Sequence, residues 1–172
     1  VTVSGINDAA ASSAGSGHSC AVLVNGTVWC WGANFYGQLG NGTGISSSTP
    51  VAVSGISSAV GVSVSLMSNT SRGTSTCVVL VDGSLWCWGD NSEGKLGNGT
   101  YYDSTVPVSV SGIRTALAVS AGFDHTCAVL TDGAVRCWGG NRYEQTGTGK
   151  SSLLPNLVIG IGPVASASGG IS

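Results

Sequence analysis

One hexapeptide returns along this chain: Val1-Thr2-Val3-Ser4-Gly5-Ile6 recurs as Val51-Ala52-Val53-Ser54-Gly55-Ile56 and as Val108-Ser109-Val110-Ser111-Gly112-Ile113. A repeat of this period restricts the fold more than composition does. Each copy must be one supersecondary unit that buries its apolar surface against its neighbours. Fourteen positions after Ile6 and after Ile113 stand Cys20 and Cys127, each followed by Ala-Val-Leu, an Asn-Gly or Asp-Gly turn, and Cys-Trp-Gly. In the middle copy Ile56 and Cys77 are 21 positions apart instead of 14, so seven extra residues enter near 66–72. After each Trp-Gly comes a further signature: Asn34-Phe35-Tyr36-Gly37-Gln38-Leu39-Gly40, then Asn91-Ser92-Glu93-Gly94-Lys95-Leu96-Gly97, and a degenerate Asn141-Arg142-Tyr143-Glu144-Gln145-Thr146-Gly147.

Within each unit the apolar runs are short, β-branched and separated by Gly, Asn, Asp and Ser, with no helical period. That pattern predicts four antiparallel strands per unit. A four-stranded sheet repeated at this period is a β-propeller blade, so the fold class is all-β. The units run over residues 1–50, 51–106 (with the insertion) and 107–155. Residues 156–172 read as the first half of a fourth, with strands at 157–161 and 164–168 and residues 1–6 as the opening strand of the first. The chain thus supplies about three and a half blades.

Turn chemistry sets the hairpin register. In Val24-Asn25-Gly26 a three-residue connection ends on Gly, which suits a type I turn closed by a left-handed Gly bulge. Leu23 then faces Thr27, and counting outward sets Cys20 opposite Cys30 in a non-hydrogen-bonded pair, where Cα atoms approach to about 4.5 Å. The same count pairs Cys77 with Cys87 and Cys127 with Cys137. Metal ligation is the competing use of cysteines, but the nine residues between partners do not match the Cys-x2-4-Cys of structural zinc sites.

These elements together resemble the regulator-of-chromosome-condensation repeat family: Gly-x-x-His-x-Cys at 15–20 and 122–127, the Asn/Asp-Gly turn, Cys-Trp-Gly, and Asn-x-x-Gly-Gln-Leu-Gly. They recur in one order over essentially the whole chain. The resemblance implies a ring of seven blades that binds through its faces and loops. The Cys-containing version is similar to forms carried by exported and surface-associated proteins. Seven blades need roughly 350 residues, so further blades of the same polypeptide, or strands from neighbouring copies, are expected to cover the unpaired edges.

Composition narrows the function classes. Six Lys and Arg stand against eight Asp and Glu, a net charge of -2, which leaves no basic stripe for a nucleic-acid backbone. No apolar stretch approaches the roughly 20 residues of a membrane span. His18 and His125 hold one repeat position and Ser75 replaces them in the middle copy. They read as blade-packing residues satisfied by backbone, and Trp31, Trp88 and Trp138 read as blade-to-blade packing. Trp29 and Trp86 are matched by Arg136, a more exposed and replaceable position. Gly37 to Gly44 lacks the Gly-Lys-Ser/Thr of a phosphate loop, and the dispersed carboxylates form no repeated acid pair. No metal, nucleotide or covalent cofactor is expected, and no catalytic residue is assigned.

The residues that break the repeat are the candidate binding set: Phe35, Tyr36, Leu66, Met67, Tyr101, Tyr102, Arg142 and Tyr143, of types that dominate interface energies. Of four sequons, three are Asn-Gly turns that the fold already requires; Asn69, in the insertion, is the candidate for glycosylation. The leading reading is a non-enzymatic extracellular scaffold that binds a protein partner or its own copies, in a surface or filament assembly. A carbohydrate-binding propeller is the first alternative, and an enzyme of lyase or hydrolase type the second.

Overall fold

The computed structural model describes residues 3–67, 73–160, 162 and 164. Among these the strands form three sheets of four, all antiparallel between sequence neighbours, and no helix occurs. β1 (Ala9–Ala14), β2 (His18–Leu23), β3 (Val28–Gly32) and β4 (Ser47–Ala52) make blade 1. Blade 2 holds β5 (Ala59–Val64), β6 (Ser75–Leu80), β7 (Leu85–Gly89) and β8 (Ser104–Ser109). Blade 3 holds β9 (Ala116–Ala121), β10 (His125–Leu130), β11 (Val135–Gly139) and β12 (Ser152–Leu157).

The blades are out of phase with the repeat units. The recurring hexapeptide begins at the tail of an outer strand and continues into the crossover to the next blade: Val51 and Ala52 end β4, whereas Gly55 turns the chain at φ +72°. Residues 3–6 accordingly contain a turn and no strand. Likewise Leu157 closes the fourth strand of blade 3 and does not open a fourth blade, so the described residues make three blades and not three and a half. Of the second strand read at 164–168, only Val164 is described.

The hairpins follow the turn chemistry. Gly26 sits at φ +79° and donates its N–H to Leu23 O at 2.8 Å, while Leu23 N–H donates to Thr27 O at 2.9 Å. Cys20 then faces Cys30, Cys77 faces Cys87 and Cys127 faces Cys137, each pair disulfide-bonded with a Cα separation of 4.1 Å.

Apolar burial lies between sheets. Val22, Val28 and Leu39 of blade 1 pack with Val78 and Trp88 of blade 2, and Leu85, Leu96 and Val110 of blade 2 pack with Ala128 and Trp138 of blade 3. The first strands lie side by side at the inner edge. There Ser13 Oγ accepts the Val64 N–H and Ser63 Oγ accepts the Ala121 N–H, both at 3.0 Å, so each inner strand caps the next. Outer strands carry Pro50, Pro107 and Pro155 at one equivalent position, in the stretch where pairing with the third strand slips. A missing N–H there costs no ladder bond and blunts an exposed edge.

Candidate functional site

Antiparallel connectivity sorts the loops onto two faces. The β1–β2 and β3–β4 connections of each blade, which include Leu66, Met67 and the Asn-x-x-Gly loops, lie on one face; the β2–β3 hairpin turns and the crossovers lie on the other. All eight candidate binding residues therefore stand on the first face.

A buried asparagine stiffens the long loop of blade 1. Asn34 Oδ1 accepts the Leu39 N–H at 2.8 Å, and its Nδ2 donates to Thr43 O and Ile45 O at 2.9 and 3.1 Å. Asn91 repeats the set with Leu96, Thr100 and Tyr102. In the shorter blade 3 loop Asn141 Oδ1 still accepts the Thr146 N–H, but its buried Nδ2 finds no partner among the described residues. These clamped loops hold out Phe35, Tyr102 and Tyr143, which are 80%, 82% and 73% exposed, with Tyr101 also exposed.

The other candidates divide. Tyr36 is half-buried over Gly73, where a Cβ would lie 2.6 Å from its ring. Met67 is half-exposed beside Ser16, whose hydroxyl accepts its N–H at 3.0 Å, and Leu66 is half-buried. Arg142 donates to Glu93 Oε1 of blade 2 at 2.8 Å, so it is not a free anchor. Asn69 lies outside the described residues.

The long loops of blades 1 and 2 also lap onto the following blade. Gly40, at φ +68°, places its Cα against the Trp88 indole so closely that a Cβ would sit 2.6 Å from Nε1, and Trp88 Nε1–H donates to Gln38 O at 2.9 Å. Gly97 and Lys95 O treat Trp138 the same way. Trp31 is only half-buried, because no described loop covers it.

His18 is satisfied by side chains of the next blade, not by backbone as expected from the sequence. Thr76 Oγ1–H donates to Gln38 O at 2.9 Å, so that hydroxyl accepts from His18 Nε2–H at 2.7 Å. His18 Nδ1 is then the acceptor for Thr74 Oγ1–H at 3.2 Å, and Thr74 accepts from Gln38 Nε2 at 3.3 Å. The circuit needs a neutral imidazole. Burial pushes the His18 pKa down to about 4 and lowers that of His125 as well.

Blade 2 has Ser75 in place of His18, and it also carries a buried ion pair that sequence reasoning missed. Lys95 Nζ lies 2.5 Å from Asp90 Oδ2 and donates to Gly73 O and, across the blade junction, to Phe123 O. A signal for the pair was present in the repeats. Asp90 replaces Ala33 and Gly140 in the same unit where Lys95 replaces Gln38 and Gln145. Burial and the neighbouring Asp90 raise the pKa of Asp103, which accepts the Asn91 N–H at 2.7 Å. Among the described residues no three His, Cys, Asp or Glu side chains cluster as a metal site.

Comparison with known proteins accords with this geometry. The "Regulator of chromosome condensation (RCC1) repeat" family profile matches residues 25–68 and 82–129, and a second RCC1 repeat profile matches residues 117–145. The chain is 34% identical over 85 residues to the human E3 ubiquitin-protein ligase HERC2 and 32% identical over 110 residues to the human probable E3 ubiquitin-protein ligase HERC4. Those matches cover 49% and 63% of this chain but only 2% and 10% of the ligases. Among solved structures, Prp20p of Saccharomyces cerevisiae, described with its binding to Gsp1p and histones, superposes over 91% of this chain and 39% of its own at TM-score 0.75 and 18% identity. Human WBSCR16 superposes over 93% and 42% at TM-score 0.75 and 22% identity. At such identities these structures speak for the fold. With repeat profiles matching over half its length, and with blades, turns and blade-lapping loops in register, the chain belongs to the regulator of chromosome condensation (RCC1) repeat family.

Proposed function

We propose that this chain is an extracellular, non-enzymatic propeller segment that docks a protein partner on its long-loop face. One observation carries the reading: the exposed side chains that break the repeat, Phe35, Met67, Tyr101, Tyr102 and Tyr143, share one face. The loops bearing Phe35, Tyr101 and Tyr102 are clamped by buried asparagines. Aromatic anchors on rigid loops lose little conformational entropy on binding. Protein binding by Prp20p supports the class of partner and says nothing of its identity.

The titratable groups argue for structure over catalysis. Asp90 is neutralised by Lys95, and His18 is locked neutral inside a blade junction. Placement outside the cell rests on the paired cysteines, which a reducing cytosol would not preserve.

The test compares wild type with a Phe35→Ser, Tyr102→Ser, Tyr143→Ser variant against a purified protein partner recovered by cross-linking from the native source. The expected result is binding weakened by at least about tenfold, consistent with loss of interface anchors, at unchanged melting temperature. Equal affinity of the two forms would overturn the docking face. A native protein with free thiols would overturn the extracellular placement.

A further inference from the structure

On the face opposite the long loops, blade 2 has a groove of about 350 Å³ between its hairpin and the β8–β9 crossover. Asp82, Ser84 and Trp86 form one wall, and Ser109, Ser111 and Arg114 line the other. A groove at the equivalent place in blade 3 is lined by Asp132, Ala134 and Val158 among others, so the position is a product of the repeat.

The chemistry of the blade 2 groove is not a product of the repeat. Blade 1 has Asn25, Trp29 and Ser57 at the places of Asp82, Trp86 and Arg114, and blade 3 has Asp132, Arg136 and Gly162. Of the three, only blade 2 brings an indole, a carboxylate and a guanidinium around one groove. Nothing in blade packing asks for Arg114, which is exposed and makes no ion pair among the described residues.

The Asp82 carboxylate and the Trp86 indole are held in place before any ligand arrives. Ser84 donates both its N–H and its hydroxyl to Asp82 Oδ1, at 2.9 and 2.6 Å, leaving Oδ2 open. Trp86 Nε1–H donates to Ser84 Oγ at 3.3 Å. The turn glycine Gly83 abuts Arg114, where a Cβ would lie 2.6 Å from the Arg114 carbonyl oxygen, and Gly83 O accepts the Ala116 N–H at 2.9 Å. The bonds from Ser84, with a smaller contribution from Arg114, hold the Asp82 carboxyl below its ordinary range, so it is ionised at neutral pH.

Such a wall selects by charge. The Asp82 carboxylate repels phosphate, sulfate and acidic peptides, while Arg114 repels cations. A neutral polyhydroxylated ring satisfies both, with hydroxyls bridging carboxylate and guanidinium and its C–H face on the indole. The volume is near the lower end for small-molecule sites and suits one sugar ring.

We propose that this groove binds a neutral pyranose, with Trp86 as the stacking platform and Asp82 and Arg114 as the hydroxyl-binding pair. The site is independent of the protein-docking face, and its failure would leave that reading untouched. The five tryptophans give five indole N–H resonances as reporters. The 15N-labelled chain is titrated with methyl β-D-glucopyranoside, methyl β-D-galactopyranoside and methyl α-D-mannopyranoside. At least one should move the Trp86 resonance saturably, with a dissociation constant on the order of 1 mM, and leave Trp29 in place. Arg114→Ala and Asp82→Asn should each weaken that response about tenfold or more while the other indole resonances stay dispersed. No saturable shift with any of the three, a shift unchanged in Arg114→Ala, or a stronger response to inorganic phosphate or an acidic peptide would overturn the assignment.

Discussion

Asp90 and Lys95 are single residues whose meaning exists only as a pair. Each is fully buried, and removing one partner leaves an uncompensated charge between blades, which costs about 3–5 kcal/mol. Lys95→Gln should therefore destabilise by that amount in urea unfolding, even though Gln is the residue of the other two units. Asp90→Ala with Lys95→Gln, which recreates the blade 1 arrangement, should recover most of the loss; a double variant as weak as the single one would refute the pairing. His18 provides a second prediction at this scale. Its ring is neutral when folded and titrates near the ordinary value of 6.5 when unfolded, so its stabilisation is complete above pH 6.5 and is lost as the pH falls toward about 4. The loss is about 3 kcal/mol, and His18→Gln should flatten that part of the stability profile relative to wild type. Parallel profiles for the two proteins would exclude it. The histidine positions were legible from the repeat, but their partners were not. Thr74 and Thr76 lie more than 50 residues away in sequence.

Hairpins were the most legible elements, because a turn ending on Gly sets its own register over the few residues that matter. The Cys20–Cys30, Cys77–Cys87 and Cys127–Cys137 bridges each close a loop with a sequence separation of 10 and tie neighbouring strands within one blade. Peptide mapping without reductant should find these three links and no others. Replacing Cys20 and Cys30 together by Ala should cost about 3 kcal/mol on the chain-entropy account; links between blades, or an unchanged stability, would contradict this. Strand phase was less legible. The Val-x-Val-Ser-Gly-Ile motif spans an outer-strand end and a crossover turn, and periodicity alone cannot tell which half is paired. The outer-strand prolines likewise take on meaning only once β4, β8 and β12 are known to be edges.

The whole molecule is held by junctions between blades, since the main apolar clusters join one sheet to the next. Trp31, onto which no described loop laps, is only half-buried, whereas Trp88 and Trp138 are fully buried. At the other end, the buried Nδ1 of His125 has no partner among the described residues. Such faces favour association, and the prolines direct it to blade faces and away from outer edges. Light scattering on the 172-residue chain should give masses above the monomer at micromolar concentration; a stable monomer at all concentrations would rule the prediction out. The all-β blade, the hairpin register, the cysteine pairing and the RCC1-type repeat were legible in the chain before it folded. These rest on local turn geometry and on a periodicity written into the chain. Only the folded chain shows where each blade begins, that the repeat-breaking aromatics share one face, and that Asp82, Trp86 and Arg114 surround one groove. Those facts depend on contacts between residues far apart in the chain, which no local pattern encodes.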